Sequence, residues 1–145
     1  MKKIWFDMDG TIADLYGVAG WLDMIMGADP TPYAIAKPLL HLATLARILN
    51  KLQRAGYEIG IISWLSKGGT HEYHEKIRAA KLQWLARHLP SVKWNTVHIV
   101  AYGTNKLNTC GGGILFDDEL NNRVIWGEGA YEPRQILNIL SSLAA

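Results

Sequence analysis

The chain has 145 residues, of which 49% are hydrophobic and 19% charged, and its formal net charge is +2. This length fits a single domain over 1–145, and the composition excludes a disordered chain. The small net charge gives no support for binding to nucleic acid or to an anionic membrane. The single cysteine, Cys110, excludes an internal disulfide bond and favours a reducing compartment.

The apolar runs of the chain are short. The N-terminal run, 4–6, stops at Asp7, whereas the core of a secretion signal needs about 7–15 apolar residues. Later apolar stretches are amphipathic or well below the roughly 18 residues that a membrane-spanning helix requires. The sequence therefore predicts a soluble cytoplasmic protein with no membrane partner.

In chain order, the first half of the sequence predicts a strand, a small helical segment, a long helix and a second strand. The first strand covers 3–6 and runs into a polar loop. A short helix is expected over 14–27, followed by a turn at 29–32. The clearest helix covers 39–55, where leucines recur at helical spacing and Gly56 follows as a left-handed stop. A strand over 57–62 then ends at Ser63.

The second half continues the alternation. A long helix is expected over about 70–88, strands over 97–100 and 113–116, a short fifth strand over 123–126, and a final helix over 132–143. Strands that alternate with helices pair in parallel through right-handed crossovers, which predicts an α/β fold. The stretch at about 12–38 departs from the alternation and is predicted to be a small helical insertion over the sheet.

Polar side chains follow the predicted strands at the points where the strands end. The carboxyl ends of parallel strands meet at one edge of the sheet, which is where such sheets bind ligands. The sequence therefore predicts an acidic cleft that also holds one lysine and one hydroxyl group. Its members are Asp7, Asp9, Ser63, Lys106, Asp117 and Asp118.

Several carboxylates in one cleft repel each other unless one is protonated or a cation lies among them. No cysteine or histidine falls at these strand ends, so the available ligands are hard oxygen atoms. Mg²⁺ is the cation that prefers such ligands, and it often contacts phosphate as well. Lys106 adds a compact positive charge suited to a phosphate group.

The order of these motifs resembles that of the haloacid dehalogenase superfamily of phosphatases. The stretch 7–11, Asp-Met-Asp-Gly-Thr, resembles its first motif, and Ile61-Ile62-Ser63 its second. Lys106 resembles the third motif, and the stretch 115–118, Leu-Phe-Asp-Asp, the fourth. The resemblance implies a three-layer, Rossmann-like parallel sheet with helices on both faces and a small cap formed by the insertion.

The resemblance also implies a role for each motif residue. Asp7 would be the nucleophile that forms an aspartyl-phosphate, and Asp9 the general acid and then the base. Mg²⁺ would be bound by Asp7, by the backbone carbonyl of Asp9, and by Asp117 with Asp118. The direct ligand within the Asp117–Asp118 pair stays open.

The remaining motif residues would bind the phosphoryl group. Ser63 would hydrogen-bond it, and Lys106 would hold both Asp7 and a phosphate oxygen. Gly10 and Thr11 belong to the same phosphate-binding loop, where a glycine permits close approach of the backbone.

A narrower resemblance concerns the substrate. The stretch 81–85, Lys-Leu-Gln-Trp-Leu, the Asp117–Asp118 pair and the small insertion are similar to the 5′(3′)-deoxyribonucleotidase branch. It implies a nucleotide substrate, with another small phosphate ester as the alternative. Tyr16, Trp21 and Trp64 are candidates to stack on a base or ring. The insertion is shorter than in that branch, which leaves open an uncovered site or one that a second subunit completes.

Three other functions remain open from the residues. A phosphatase acting on a nucleic-acid end is disfavoured by the small net charge. A phospho-accepting receiver domain also combines acidic residues, a hydroxyl and a lysine, but its acceptor aspartate lies on a middle strand. A catalytically silent binding module is disfavoured because Asp9 is present.

Overall fold

A computed structural model describes residues 2–145. The centre of the fold is a parallel sheet of five strands. The strands are β1 Lys3–Phe6, β4 Glu58–Trp64, β5 Thr96–Val100, β6 Ile114–Phe116 and β7 Ala130–Tyr131. Their order in the sheet is β5-β4-β1-β6-β7, and every neighbouring pair is parallel. The α/β fold predicted from the sequence is therefore confirmed.

Helices cover both faces of this sheet, which gives the three layers. The helices on the two faces are α3 Leu42–Arg54, α4 His71–His88, α5 Lys106–Cys110, α6 Leu120–Trp126 and α7 Ile136–Ala144. Ile4 and Phe6 of β1 pack into one core with residues of α3, α4 and α7. Trp5, which points to the opposite face, packs with Cys110 of α5 and Trp126 of α6.

Gly60 in β4 shows how tightly the second face is packed. A Cβ atom at this position would lie 2.5 Å from Cζ3 of Trp5, which is closer than side-chain atoms approach each other. The absence of a side chain therefore lets the Trp5 ring lie across the neighbouring strand.

The segment between β1 and α3 differs in detail from the prediction. It contains a two-stranded antiparallel sheet, β2 Ala13–Asp14 with β3 Lys37–Pro38, and two short helices, α1 Trp21–Met26 and α2 Thr31–Ile35. The predicted continuous helix over 14–27 is wrong, because a 3-10 turn and glycines interrupt it. Gly20 has φ +74°, a left-handed conformation just before α1.

The second half of the predicted turn at 29–32 already belongs to α2, which begins at Thr31. Asp29 Oδ1 accepts hydrogen bonds from the Thr31 backbone N–H at 2.9 Å and from its hydroxyl at 2.6 Å. This arrangement closes the turn and starts the helix at Thr31.

The predicted fifth strand over 123–126 is also wrong, because these residues belong to α6. Asn122 and Trp126, four residues apart, are buried on one side, whereas Val124 and Ile125 are exposed. This helical spacing outweighs the β-branched character of the pair Val124–Ile125. The fifth strand of the sheet is β7 instead, which pairs with β6.

The other predicted elements are confirmed with shifts of a few residues at their ends. The long helix predicted over 39–55 is α3, and Gly56 follows it with φ +97°. The final predicted helix begins as a 3-10 turn over Pro133–Gln135 and continues as α7. Among residues 2–145, no helix combines the length and the apolar character that crossing a membrane requires.

Candidate active site

The sheet topology brings four motif segments to one edge. Asp7 follows the central strand β1, and Asp117 follows its neighbour β6. Ser63 lies near the end of β4 on the other side of β1, and Lys106 opens α5 after β5. The strand-end residues predicted from the sequence therefore gather at the carboxyl edge of the sheet.

Lys106 links two of these carboxylates. Its Nζ donates to Asp7 Oδ1 at 3.0 Å and to Asp117 Oδ2 at 2.7 Å. Asn122 also donates to Asp117 Oδ2, at 3.1 Å, and the Glu119 backbone N–H donates to Asp117 Oδ1 at 2.9 Å. Both carboxylate oxygens of the buried Asp117 are thus hydrogen-bonded, which fixes the orientation of this side chain.

The loop after β1 holds the second oxygen of Asp7. The Thr11 hydroxyl donates to Asp7 Oδ2 at 2.9 Å, so both oxygens of Asp7 have a partner. Asp118 lies against Gly10 of the same loop, and its Oδ1 is 3.4 Å from the Thr11 hydroxyl. A Cβ atom at Gly10 would collide with the Asp118 carboxylate and would lie 2.9 Å from the Tyr16 ring, so only glycine leaves room there.

Three carboxylates form a group that could hold a metal ion. One oxygen from each of Asp7, Asp117 and Asp118 lies within 4.8 Å of the others. A set of carboxylate oxygens is the donor type that Mg²⁺ prefers, so the residues present fit this ion. The side chain of Asp9 lies apart from this group and pairs with Lys81.

The protonation of these groups reflects crowding of negative charge. Burial and the neighbouring Asp7 raise the pKa of Asp117 and that of Asp118. Burial alone would lower the pKa of Lys106, but the carboxylates of Asp7 and Asp117 outweigh it and raise that pKa. Lys106 therefore stays charged, while Asp117 and Asp118 hold protons more readily than ordinary aspartates do.

Asp9 is part of a second cluster beside the first. Its Oδ2 accepts from Lys81 Nζ at 2.9 Å, and Lys81 also donates to Ser63 Oγ at 2.6 Å. Desolvation raises the pKa of Asp9, against the opposing charge of Lys81 and with the help of Asp7. Ser63 itself is fully buried under this cluster.

The four carboxylates of the two clusters face two ammonium groups, Lys81 and Lys106. If all six groups are charged, their net charge is −2. A divalent cation would neutralise this excess, which is a second reason why the site fits Mg²⁺.

A cavity of about 520 Å³ opens above the carboxylates, a size typical of a small-molecule site. Asp7, Asp9, Lys106, Asp117 and Asp118 contribute to its floor. Its walls are mostly apolar and aromatic, with rings from the segment after β1, from α4, from the end of β4 and from the loop that follows β5. The aromatic lining residues are Tyr16, Trp21, Tyr33, Trp64, Tyr73 and Tyr102.

The aromatic rings pack in pairs at two places on the wall. Tyr16 and Trp21 meet edge to face with ring centroids 5.0 Å apart, and Trp64 and Tyr102 lie 4.9 Å apart. Lys106 Nζ lies 5.2 Å from the centre of the Trp64 ring. The three rings that the sequence predicted for stacking thus all line the cavity.

Sequence reasoning missed some residues of the site. Lys81 and Tyr33 were not predicted as site residues, and neither was Asn122. The signal for Lys81 is its spacing: it lies four residues from both Ile77 and Leu85, on the buried face of α4. Leu82 of the same helix, although apolar, is exposed.

The comparisons with known proteins agree with the fold. The chain is similar to the crystal structure of D,D-heptose 1,7-bisphosphate phosphatase from Burkholderia thailandensis, with a TM-score of 0.56 and 12% sequence identity. The similarity covers 100% of this chain and 99% of the other. No protein-family model matches the chain, and no curated protein sequence matches it significantly.

At this identity the likeness concerns the fold alone. The similarity therefore supports the α/β fold predicted from the sequence and shows no family for the chain. It gives no support to the narrower deoxyribonucleotidase branch.

Proposed function

We propose that this protein is a magnesium-dependent phosphatase that hydrolyses a small phosphomonoester through an aspartyl-phosphate. The observation that carries the proposal is the meeting of Asp7, Asp117 and Asp118 within 4.8 Å beside the ammonium group of Lys106. Phosphoryl transfer depends mainly on positioning and on neutralising charge, and this group of residues supplies both. The phosphatase neighbour adds support from the fold.

In this proposal Asp7 is the nucleophile. One of its carboxylate oxygens attacks phosphorus, the ester bond to the leaving oxygen breaks, and an acyl phosphate forms on Asp7. Lys106 and Thr11 each hydrogen-bond one oxygen of Asp7, so its carboxylate is held in a fixed plane before the attack. Lys106 also balances the charge of the transferred group.

Asp9 moves the proton in both half-reactions. Its raised pKa favours a proton on the carboxyl group, which it gives to the leaving oxygen. In the second step, water attacks the phosphorus of the acyl phosphate, and Asp9 takes a proton from this water. The bond between phosphorus and the Asp7 oxygen breaks, which releases inorganic phosphate and the free Asp7 carboxylate. Mg²⁺, held by Asp7, Asp117 and Asp118 with the Asp9 carbonyl, supplies charge neutralisation at the phosphoryl oxygens when bound.

The walls of the cavity favour a substrate whose alcohol part carries a flat ring, such as a nucleoside monophosphate. Trp21, Tyr16 and Tyr102 offer aromatic surfaces above the carboxylates. Among residues 2–145, two lysines line the cavity: Lys106 on the floor and Lys67 on the wall. Because a second lysine favours more negative charge on a substrate, the preference for a nucleoside monophosphate rests on the aromatic surfaces and not on charge.

The test is a screen of phosphomonoesters with purified protein, with Mg²⁺ and with excess chelator. We expect phosphate release that requires Mg²⁺, with nucleoside monophosphates turned over faster than sugar phosphates. Activity on sugar phosphates alone would remove the nucleotide assignment and keep the phosphatase. Phosphate uptake by the protein without steady turnover would replace the phosphatase by a receiver domain.

A further inference from the structure

Lys81 is a fully buried lysine that lies directly behind the proposed acid and the predicted phosphate-binding serine. It is only 1% exposed, and its ammonium group donates three hydrogen bonds. The acceptors are Asp9 Oδ2 at 2.9 Å, Ser63 Oγ at 2.6 Å and the Trp64 backbone carbonyl at 2.7 Å. An ammonium group has three N–H bonds, so all of its donors are used.

The surroundings of Lys81 hold it in place. Ile77, on the preceding turn of α4, is fully buried, and Trp84, on the next turn, donates from Nε1 to the Ala36 carbonyl at 2.8 Å. The ring of Tyr33 lies over the ammonium group, with its centre 5.1 Å from Nζ. The lysine therefore has little freedom to swing into the cavity.

The direction of these bonds decides how the two neighbours can act. Because Oδ2 of Asp9 is taken by Lys81, Oδ1 is the oxygen left for a leaving group in the cavity. Because Ser63 Oγ accepts from Lys81, its own hydroxyl hydrogen is free to be donated elsewhere. One buried cation thus fixes the carboxyl group of Asp9, which lines the cavity, and is itself anchored by Ser63, which is fully buried.

We propose that Lys81 is a positioning residue, which aims Asp9 Oδ1 at the leaving oxygen. This inference rests on the proposed phosphatase function. Lys81 acts through Asp9, without contact to the substrate, while its bonds to Ser63 and to the Trp64 carbonyl hold the ammonium group in place. Its loss should therefore weaken proton donation to the leaving group more than it weakens binding.

The test compares two leaving groups. An alkyl phosphate needs a proton on its departing oxygen, whereas 4-nitrophenyl phosphate departs as a stable anion and needs little help. We expect Lys81→Met to lower kcat/KM for the alkyl phosphate by about 10²-fold and for 4-nitrophenyl phosphate by only about 5-fold. The matched control is Lys76→Met on the same helix, an exposed lysine paired with Glu72, which should leave both values unchanged.

A second comparison shows whether Lys81 acts through Asp9. In an Asp9→Asn background, adding Lys81→Met should cause no further loss that depends on the leaving group. Equal losses for both substrates in the single variant, or the same selective loss in the double variant, would overturn the inference. Lys81→Gln and Lys81→Arg carry the same comparison if circular dichroism finds the methionine variant unfolded.

Assays of the wild-type protein distinguish a failure of this inference from a failure of the proposed phosphatase function. If the wild type releases no phosphate from either substrate with Mg²⁺ present, the proposed function fails, and the role of Lys81 falls with it. If the wild type is active and the Lys81 variants lose activity without regard to the leaving group, only the role of Lys81 is overturned.

Discussion

The floor and the wall of the cavity are built in opposite ways. On the floor, Asp7, Lys106 and Asp117 are between 0% and 7% exposed, and their polar atoms are joined by hydrogen bonds. On the wall, Tyr16 is 47% exposed and Met26 is 78% exposed. The floor has one arrangement that burial enforces. The exposed side chains of the wall, unlike its buried rings Tyr33 and Tyr73, can be substituted at little cost.

This difference suggests that the two regions control different quantities. Changes on the floor should alter the rate of the chemical step by orders of magnitude, and some should also destabilise the fold. Changes on the wall should alter substrate binding by smaller factors. Variants of the two regions therefore test this division.

The largest effect is expected at the nucleophile. Asp7→Asn should lower kcat by at least about 10³-fold, because an amide oxygen is a far weaker nucleophile than a carboxylate. The fold should persist, since the amide oxygen of asparagine can still accept from Lys106. Steady-state assays measure the loss of kcat, and circular dichroism measures whether the fold persists. Turnover retained in a folded variant would move the nucleophile away from Asp7.

The second effect joins activity to stability at Lys106. Lys106→Met leaves the buried carboxylates of Asp7 and Asp117 without their shared cation, which should destabilise the fold by about 3–5 kcal/mol. Urea denaturation measures this loss, and Mg²⁺ should restore part of it by neutralising the same oxygens. Lys76→Met serves as the exposed control and should change stability by less than about 0.5 kcal/mol. An unchanged free energy of unfolding for Lys106→Met would contradict the buried network.

The third effect is a pH dependence of metal binding. Burial, then Asp7, raises the folded-state pKa values of Asp117 and Asp118 above those of the unfolded chain. The folded protein therefore binds more protons, so these groups favour folding at low pH and lose that effect as pH rises through the folded values. Since Mg²⁺ competes with the protons, its stabilising effect should grow with pH.

Thermal unfolding with and without Mg²⁺ measures this dependence. The increase in Tm caused by Mg²⁺ should be near zero at about pH 5 and about 5 °C at about pH 8. Asp118→Asn should reduce the increase at the higher pH and raise the stability of the metal-free protein there. An increase in Tm that is the same at both pH values would mean that the ion does not bind these carboxylates.

The smallest effect is expected on the wall. Trp21→Ala should raise KM for a nucleoside monophosphate by about 10-fold and change kcat by less than about 2-fold, because the ring contributes stacking alone. Measuring both constants for a sugar phosphate provides the control, and its KM should change less. A fall in kcat with an unchanged KM would contradict the claim that the floor controls the chemical step and the wall controls substrate binding.

The sequence could reveal the floor because its residues obey a positional rule. Asp7 and Asp117 stand directly after buried strands, and the carboxyl ends of parallel strands must meet at one edge. Lys106 was predictable only through its place in the motif order, since a lysine alone is usually a surface residue. These predictions depended on the order of strands, which local apolar patterns indicate well.

Lys81 and the region 120–126 could not be found in the same way. A lysine within a helix is ordinarily solvated, and the burial of Lys81 depends on Asp9 and Ser63, which are distant in the chain. The β-branched pair Val124–Ile125 favours a strand locally, but packing of Trp126 against the sheet decides for a helix. Tertiary contacts therefore determined both cases.

The most direct test of the account is to stop the reaction of the protein with a phosphomonoester and Mg²⁺ in acid within the first turnover and to map the bound phosphoryl group by mass spectrometry. The account predicts a phosphorylated peptide containing Asp7, which is absent without Mg²⁺ and absent from Asp7→Asn. Turnover without any phosphorylated peptide, or a phosphoryl group attached to another residue, would contradict it.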